Sequence, residues 1–297
     1  MKIMITGANG LVGQHLLQTL TSEGKHSVIA TGRGPCRLSI AASQSFVYDE
    51  LDITDAMAVH QCIYKYKPEL IIHATAMTQP DPCELDKVAC WLVNVTATRF
   101  LIDAAMAVQA RFLFLSTDFV FDGLNGPYHE NDETGPVNYY GSSKLAAENA
   151  VMHSGLHWAI VRTVLVYGDI LAGTRSNIVS WVKQNLTAGK PIKVVNDQVR
   201  TPNYVQDLVN GLLLVAEKNA TGIFHISGQE VLTPYDMALA VANYMQLDKN
   251  LMTQVNASTF TQPAQRPLKT GFVIDKAKSQ LGFRPISFKQ GLQKMLG

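Results

Sequence analysis

Through the first two-thirds of the chain, short apolar runs rich in β-branched residues alternate with stretches whose apolar residues recur at helical spacing. "KIMIT" predicts a buried strand, and "LVGQHLLQTL" a helix directly after it. "HSVIAT" reads as a second strand and "QSFVYDEL" as a weaker third. "DAMAVHQCIYKY" predicts a helix, "LIIHAT" a fourth strand, and the stretch from about Leu85 to Val108 a long helix. "RFLFLST" follows as a fifth strand, the segment after Tyr139 as a helix, and "HWAIVRTV" as a sixth strand. Strands that are apolar throughout, alternating with helices, imply a parallel sheet covered on both faces. Right-handed crossovers then give an α/β, doubly wound, Rossmann-like fold, with ligands at the carboxyl ends of the strands.

After Gly168 the rhythm changes. Residues 176–204 read as helix, short strand and loop, "VQDLVNGLLLVAEK" as a helix, "GIFHIS" as a strand and "TPYDMALAVANYMQL" as a helix. The expected organisation is a dinucleotide-binding core over 1–167, completed by parts of 203–230. Residues 168–202 and 231–297 are expected to form a smaller, substrate-binding portion. No internal repeat or low-complexity tract interrupts the pattern.

Composition narrows the possibilities. With 297 residues, 47% apolar and only 16% charged, the chain is globular rather than disordered. A formal net charge of +1 provides no broad electropositive field, so nucleic acid is not an expected partner. Four scattered cysteines (Cys36, Cys62, Cys83, Cys90) fit neither a zinc site nor a disulfide framework, and reduced thiols point to the cytoplasm. The start "MKIMITGANG" reaches glycine too early for a signal peptide, and runs such as "GLLLVA" are too short to span a bilayer, so no membrane partner is expected.

"TGANGLVG" sets Gly7, Gly10 and Gly13 after a strand and at the start of a helix. That spacing lets a pyrophosphate approach the backbone at a helix N-terminus. Asn9, Leu11 and Val12 lie in the same turn. NAD-binding folds place a carboxylate about twenty residues further on. Here the second strand ends "ATGRG", and Arg33 suits a 2′-phosphate, which favours NADP(H) over NAD(H); its alternative is a solvated loop residue. Asp52, followed by Ile53, closes the third strand and could accept from an adenine amino group, or could cap a helix. His73, Ala74 and Thr75 end the fourth strand beside the same cleft, His73 more in a packing than a catalytic role.

The fifth strand delivers Ser116 and Thr117 to the ligand end of the sheet. In "NYYGSSK", Tyr140 and Lys144 are four apart and share a helix face, whereas Tyr139 is turned away. A Tyr-x-x-x-Lys match alone also describes an ordinary helix surface. The order of strand, glycine turn, hydroxyl pair and Tyr-Lys changes that reading. Reduction of a ketone needs hydride on carbon and a proton on the developing alkoxide. A phenol beside an ammonium can supply that proton, the ammonium favouring the phenolate and hydrogen-bonding the cofactor ribose. Thr117 would help hold the carbonyl oxygen.

These motifs, with "STDFVFDG", "YYGSSKLAAE", "VRTVLVYG", "NDQVRTPNYVQDL" and "DKAKSQLGFRPISFKQGL", resemble the extended short-chain dehydrogenase/reductase superfamily over essentially the whole chain. Within it, the closest likeness is to dTDP-4-dehydrorhamnose reductases. The resemblance implies Thr117, Tyr140 and Lys144 as the catalytic trio, the three glycines at the pyrophosphate, and Thr163 and Val164 nearest the nicotinamide. It also implies Arg200 and Arg266 as grips for a sugar nucleotide's diphosphate, with Asp118 and Asn177 as further substrate contacts. The implied reaction is NADPH-dependent reduction of a 4-keto sugar nucleotide, plausibly dTDP-4-dehydro-L-rhamnose to dTDP-L-rhamnose. Alternatives are an epimerase using bound NAD, and a non-catalytic NADP-binding regulator like the regulatory subunit of methionine adenosyltransferase. The Asp-Glu pair of the related dehydratases is absent, since Asp118 is followed by Phe119. A homodimer is compatible with the resemblance, and no metal site is expected.

Overall fold

The computed structural model describes residues 1–38 and 46–297. Seven parallel strands form the main sheet: β1 (Lys2–Thr6), β2 (Ser27–Gly32), β3 (Val47–Glu50), β4 (Leu70–His73), β5 (Arg111–Thr117), β6 (Trp158–Thr163) and β10 (Gly222–His225). Their order is β10-β6-β5-β4-β1-β2-β3. The order reverses between β1 and β4, and that switch point is where a doubly wound sheet opens a crevice for ligand. The third strand begins at Val47; Gln44 and Ser45 of its expected span lie outside the described residues.

Helices α1 (Leu11–Glu23) and α8 (Val205–Glu217) cover one face of the sheet. The other face carries α2 (Ala56–Tyr66), α5 (Ala97–Ala107) and α6 (Tyr139–Met152). Each face encloses its own apolar core, so β1 sends Ile3 and Ile5 to one side and Met4 to the other, all fully buried. Strand alternation is why a continuous apolar run was needed. Replacing Ile5 by alanine would cost about 2–5 kcal/mol.

The expected long helix runs from Lys87 to Ala107, with α4 (Lys87–Trp91) leading through a π-helical turn (Leu92–Thr96) into α5. Its 21 residues are apolar enough to cross a membrane by length and composition, yet half of its most apolar window is buried inside the protein. A core helix has this same composition. Just before it, the short α3 (Pro80–Leu85) ends at Asp86, whose side chain caps α4 through Ala89 N.

The C-terminal portion has a third core, built from α7 (Ile178–Thr187), α9 (Pro234–Tyr244), α10 (Phe288–Leu296) and a parallel pair, β8 (Ile192–Val195) with β11 (Met252–Val255). A second short pair, β7 (Val166–Tyr167) with β9 (Asn203–Tyr204), connects it to the main sheet. One boundary needs correction. Residues 272–283, expected in the smaller portion, pack on the main sheet: Phe272, Ile274, Ala277, Leu281 and Phe283 belong to its core. Tertiary burial, which local pattern does not encode, assigns them there.

Candidate active site

The glycine turn sits at the switch point. Gly7 has φ 79, a left-handed conformation that favours glycine, and a Cβ there would lie 2.9 Å from Thr75 N. A Cβ on Gly13 would lie 2.1 Å from Gly7 O, so α1 packs against the turn only because that atom is missing. Gly10 is the N-cap of α1 and gives no side-chain cap, leaving the first-turn N–H groups of Leu11 and Val12 to a ligand. Among the described residues, Thr75 Oγ1 and Ser116 Oγ are buried without a hydrogen-bond partner, at the carboxyl ends of β4 and β5. A dinucleotide fits here: orphaned hydroxyls and backbone donors face a cradle that side chains would fill.

Several neighbours expected at the cofactor serve the chain itself. Asn9 donates through Nδ2 to Arg33 O (3.1 Å), Pro35 O (3.1 Å) and Tyr48 Oη (2.9 Å), and its Oδ1 accepts from Arg37 N (3.0 Å). It therefore braces the turn after β2 rather than offering its amide to a ligand. That turn holds two exposed guanidinium groups, Arg33 and Arg37. Arg37, which the sequence reading passed over, also donates to Gly173 O (3.0 Å). Glu50 comes to the same turn but is engaged by Gly34 N–H (3.0 Å). Asp52 accepts from Thr54 N and Oγ1, which hold its carboxyl below the usual range, while Asp55 caps α2. Ile53 is in the core. Both bonds to Asp52 go to Oδ1, and the residue is exposed.

His73 is fully buried between two threonines. Thr98 donates its proton to Asn94 O, so it accepts from His73 Nε2–H (3.1 Å), and Thr6 Oγ1 donates to Nδ1 (2.7 Å). Burial, with help from the Lys144 charge, holds the imidazole down at about 3, hence neutral. It is a packing residue. Ala74 follows it, its N–H given to Thr6 O (3.2 Å).

The helix α6 starts at Asn138, whose side chain caps Gly141 N (2.9 Å) and ties to Gln265 O (2.7 Å). Gly141 is required because a Cβ would lie 2.1 Å from Phe119 O; sequence reasoning had no signal for that close approach. The helix turns Tyr140 inward, 8% exposed, and leaves Tyr139 half-buried against Trp91. Tyr140 lies beside Thr117, and Lys144 Nζ donates to Leu115 O (2.9 Å) while lying 3.9 Å above the Phe114 ring. The trio thus converges at the ends of β5 and α6. Thr163 pairs with Thr117 in the strand register, with Oγ1 accepting from Asn203 Nδ2 (2.9 Å), and Val164 is buried in the core.

Electrostatics here differ from the simple expectation. Burial pushes the Tyr140 phenol well up, and the nearby Asp118 adds to this, against the Thr117 hydroxyl beside it. Burial also pushes Lys144 down to about 7, opposed by Glu148 and Cys90. Desolvation dominates, so Tyr140 is protonated at neutral pH. That is the form a proton donor needs.

Thr117 Oγ1 donates to Asp118 Oδ1 (3.1 Å), so its proton points away from the cleft. Asp118 is buried, accepts from Thr270 Oγ1, and lies 3.7 Å from Arg200 Nε. Arg200 in turn donates to Val199 O, Pro267 O and Leu268 O. Neither Asp118 nor Arg200 presents a free polar atom to substrate. Together they fasten the 267–270 segment to Thr117. Asn177 is also committed, capping α7 through Val179 and Ser180 N–H and donating to Gly168 O (2.7 Å).

Arg266 is different. It forms a two-armed pair with Asp81 (Nη2–Oδ2 2.6 Å) and lines a cavity of ≈ 220 Å³ with Trp181, Phe260, Lys193 and Gln198. Aromatic walls with two cations suit a nucleoside diphosphate. Trp181, Lys193 and Phe260 were not legible in sequence, because they come from three separate elements.

A phenol, an ammonium and a hydroxyl converging beside a dinucleotide cradle define an NAD(P)H-dependent oxidoreductase of the extended short-chain type. The family model described as "RmlD substrate binding domain" matches residues 1–297, and the chain belongs to that family. A dTDP-4-dehydrorhamnose reductase of Mycobacterium tuberculosis is 34% identical over 272 residues, covering 89% of this chain and 82% of that protein. Methionine adenosyltransferase 2 subunit beta of Bos taurus is 31% identical over 271 residues, covering 90% and 78%. The crystal structure of a dTDP-4-dehydrorhamnose reductase from Clostridium acetobutylicum superimposes with TM-score 0.87 at 30% identity, covering 100% of this chain and 98% of that one. That of Bacillus anthracis, in complex with NADP, gives 0.86 at 27% identity, with 99% of each covered.

Proposed function

We propose that this protein reduces the keto group of a sugar nucleotide with NADPH, dTDP-4-dehydro-L-rhamnose being the first substrate to test. The observation that carries the reading is the convergence of Tyr140, Thr117 and Lys144 at the ligand end of the sheet, in a chain that also holds an aromatic, cationic cavity. The reductases among its relatives support the substrate class. Arg33 and Arg37 support NADP(H), as does the NADP complex of the Bacillus anthracis relative.

NADPH supplies hydride to the carbonyl carbon. Tyr140 gives its phenolic proton to the oxygen as negative charge develops there. Thr117 lies beside the phenol and helps keep it aimed. Lys144 faces the proton donor from one turn along the helix, its charge stabilising the phenolate left behind. Arg266 and Lys193 grip the diphosphate, Arg266 exchanging Asp81 for phosphate oxygens.

The test is NADPH oxidation with freshly prepared dTDP-4-dehydro-L-rhamnose. Stoichiometric consumption that Tyr140→Phe stops supports the reading. No consumption with this or related keto-sugar nucleotides, despite NADPH binding, would sink it. The methionine adenosyltransferase subunits among the relatives favour one second reading, a nucleotide-binding regulator of a partner enzyme. Co-purification with a synthetase, without turnover, is the result that reading expects.

A further inference from the structure

Behind Tyr140 lie two thiols that the reduction does not use. Cys83 on α3 and Cys90 on α4 are both fully buried and form one cluster with Tyr140, flanked by Met77, Phe119 and Tyr139. The two thiols are near enough to perturb each other's ionisation. Cys83 Sγ also reaches Met77 O (3.4 Å), Cys90 Sγ reaches Ser143 Oγ (3.4 Å), and Asn94 Nδ2 donates to Cys90 Sγ (3.5 Å). The remaining cysteines are placed otherwise: Cys62 is in the α2 core and pushed up to about 11 by burial, and Cys36 is on the loop after β2.

The pair is asymmetric. The neighbouring Cys83 thiol, the polar contacts with Ser143 and Asn94 and the Lys144 charge bring Cys90 down against burial. The same contact and burial push Cys83 far up, so it stays a thiol. The titratable groups facing them are Lys144 and Tyr140 from α6, with Glu84 beside Cys83 on α3. A sulfur drawn toward its thiolate beside a second that stays protonated is the arrangement that stepwise disulfide formation needs.

We propose that Cys83 and Cys90 form a covalent modification site, a dithiol that a small hydroperoxide converts to a disulfide directly behind Tyr140. The Cys90 thiolate attacks the peroxide oxygen, giving a sulfenic acid and releasing hydroxide or alkoxide. The Cys83 sulfur then attacks that sulfenic sulfur. Water leaves, the Cys83 proton going to the departing oxygen, and two electrons have passed from the dithiol to the peroxide. A small neutral oxidant suits the site because both sulfurs are enclosed. The α3–α4 corner that carries them reaches the surface, with Leu85 75% and Val88 80% exposed. Bond formation draws together two sulfurs on which Tyr140 packs, and so moves the phenol relative to Thr117.

The experiment needs no sugar substrate, so the two readings fail independently. Native full-length protein is treated with hydrogen peroxide at a series of pH values, alkylated, and mapped by mass spectrometry. The expected product is a Cys83–Cys90 disulfide with Cys62 still reduced, forming faster as pH rises and more slowly with oxidised glutathione. Cys90→Ser should slow loss of the Cys83 thiol at least about tenfold. Cys83→Ser should leave Cys90 oxidised without a disulfide. Where turnover is established, peroxide should lower it reversibly by thiol reductant in the wild type but not in the doubly substituted Cys83→Ser, Cys90→Ser protein. Recovery of both thiols intact from peroxide-treated protein, or bridging through Cys36 instead, would overturn the proposal.

Discussion

The two sides of the cleft are prepared for ligand in opposite ways. On the cofactor side the chain offers backbone: a turn that only glycine permits, an uncapped helix N-terminus and two hydroxyls with no partner. On the substrate side it offers charged side chains, several already paired within the protein. Arg200 is locked to Asp118 and three carbonyls, whereas Arg266 lines a cavity and holds a partly exposed aspartate. Arginine in a loop therefore does not by itself mark an anion site. Burial separates a guanidinium that builds the fold from one that can change partners.

The sharpest break between chemistry and scaffold is Tyr140→Phe. Loss of the proton donor should lower kcat by about 10²–10⁴-fold with NADPH affinity, measured by fluorescence titration, nearly unchanged. On the substrate side, Arg200→Ala strands Asp118 as a buried, unpaired carboxylate. Stability should fall by about 3–5 kcal/mol in chemical denaturation. A loss under about 1 kcal/mol, with a raised substrate KM instead, would return Arg200 to the ligand.

On the cofactor side, replacing Arg33 and Arg37 together by alanine should weaken NADPH about 10–100-fold while NADH changes little; equal losses would remove both from the 2′-phosphate. The pH profile separates function from stability. Lys144 in the free protein is held near 7 by burial, so kcat/KM should fall as pH rises above about 7, where the ammonium is lost. Between that value and the ordinary lysine range the unfolded chain binds a proton that the native one does not. Lys144 therefore contributes a stability that increases with pH across the same window. A kcat/KM profile flat through it would mean the charge is not needed. The smallest effect is expected at Arg266→Ala, about tenfold in substrate KM with folding hardly disturbed.

What could be read in the chain follows the same division. Strand and helix periodicity located the main sheet, because each strand is buried on both faces and each covering helix on one. Residues with a local geometric task were legible too: Gly7 and Gly13 from spacing, Tyr140 with Lys144 from the helical repeat. Contacts between distant segments were not. Asn9 looked like a cofactor residue until its amide proved to be holding the turn of Arg33 and Arg37. Residues 272–283 looked peripheral until Phe272 and Phe283 were found in the main core.

Sequence by itself determined the parallel sheet, the glycine turn and which tyrosine faces the lysine. Each depends on chain geometry over a few residues, where spacing translates directly into direction. Tertiary structure alone decided which arginine is available, that Thr117 gives its proton to Asp118, that Trp181, Lys193 and Phe260 share a cavity, and that Cys83 meets Cys90 behind the phenol. Those outcomes depend on desolvation and on partners brought from far along the chain, and neither is written in local spacing.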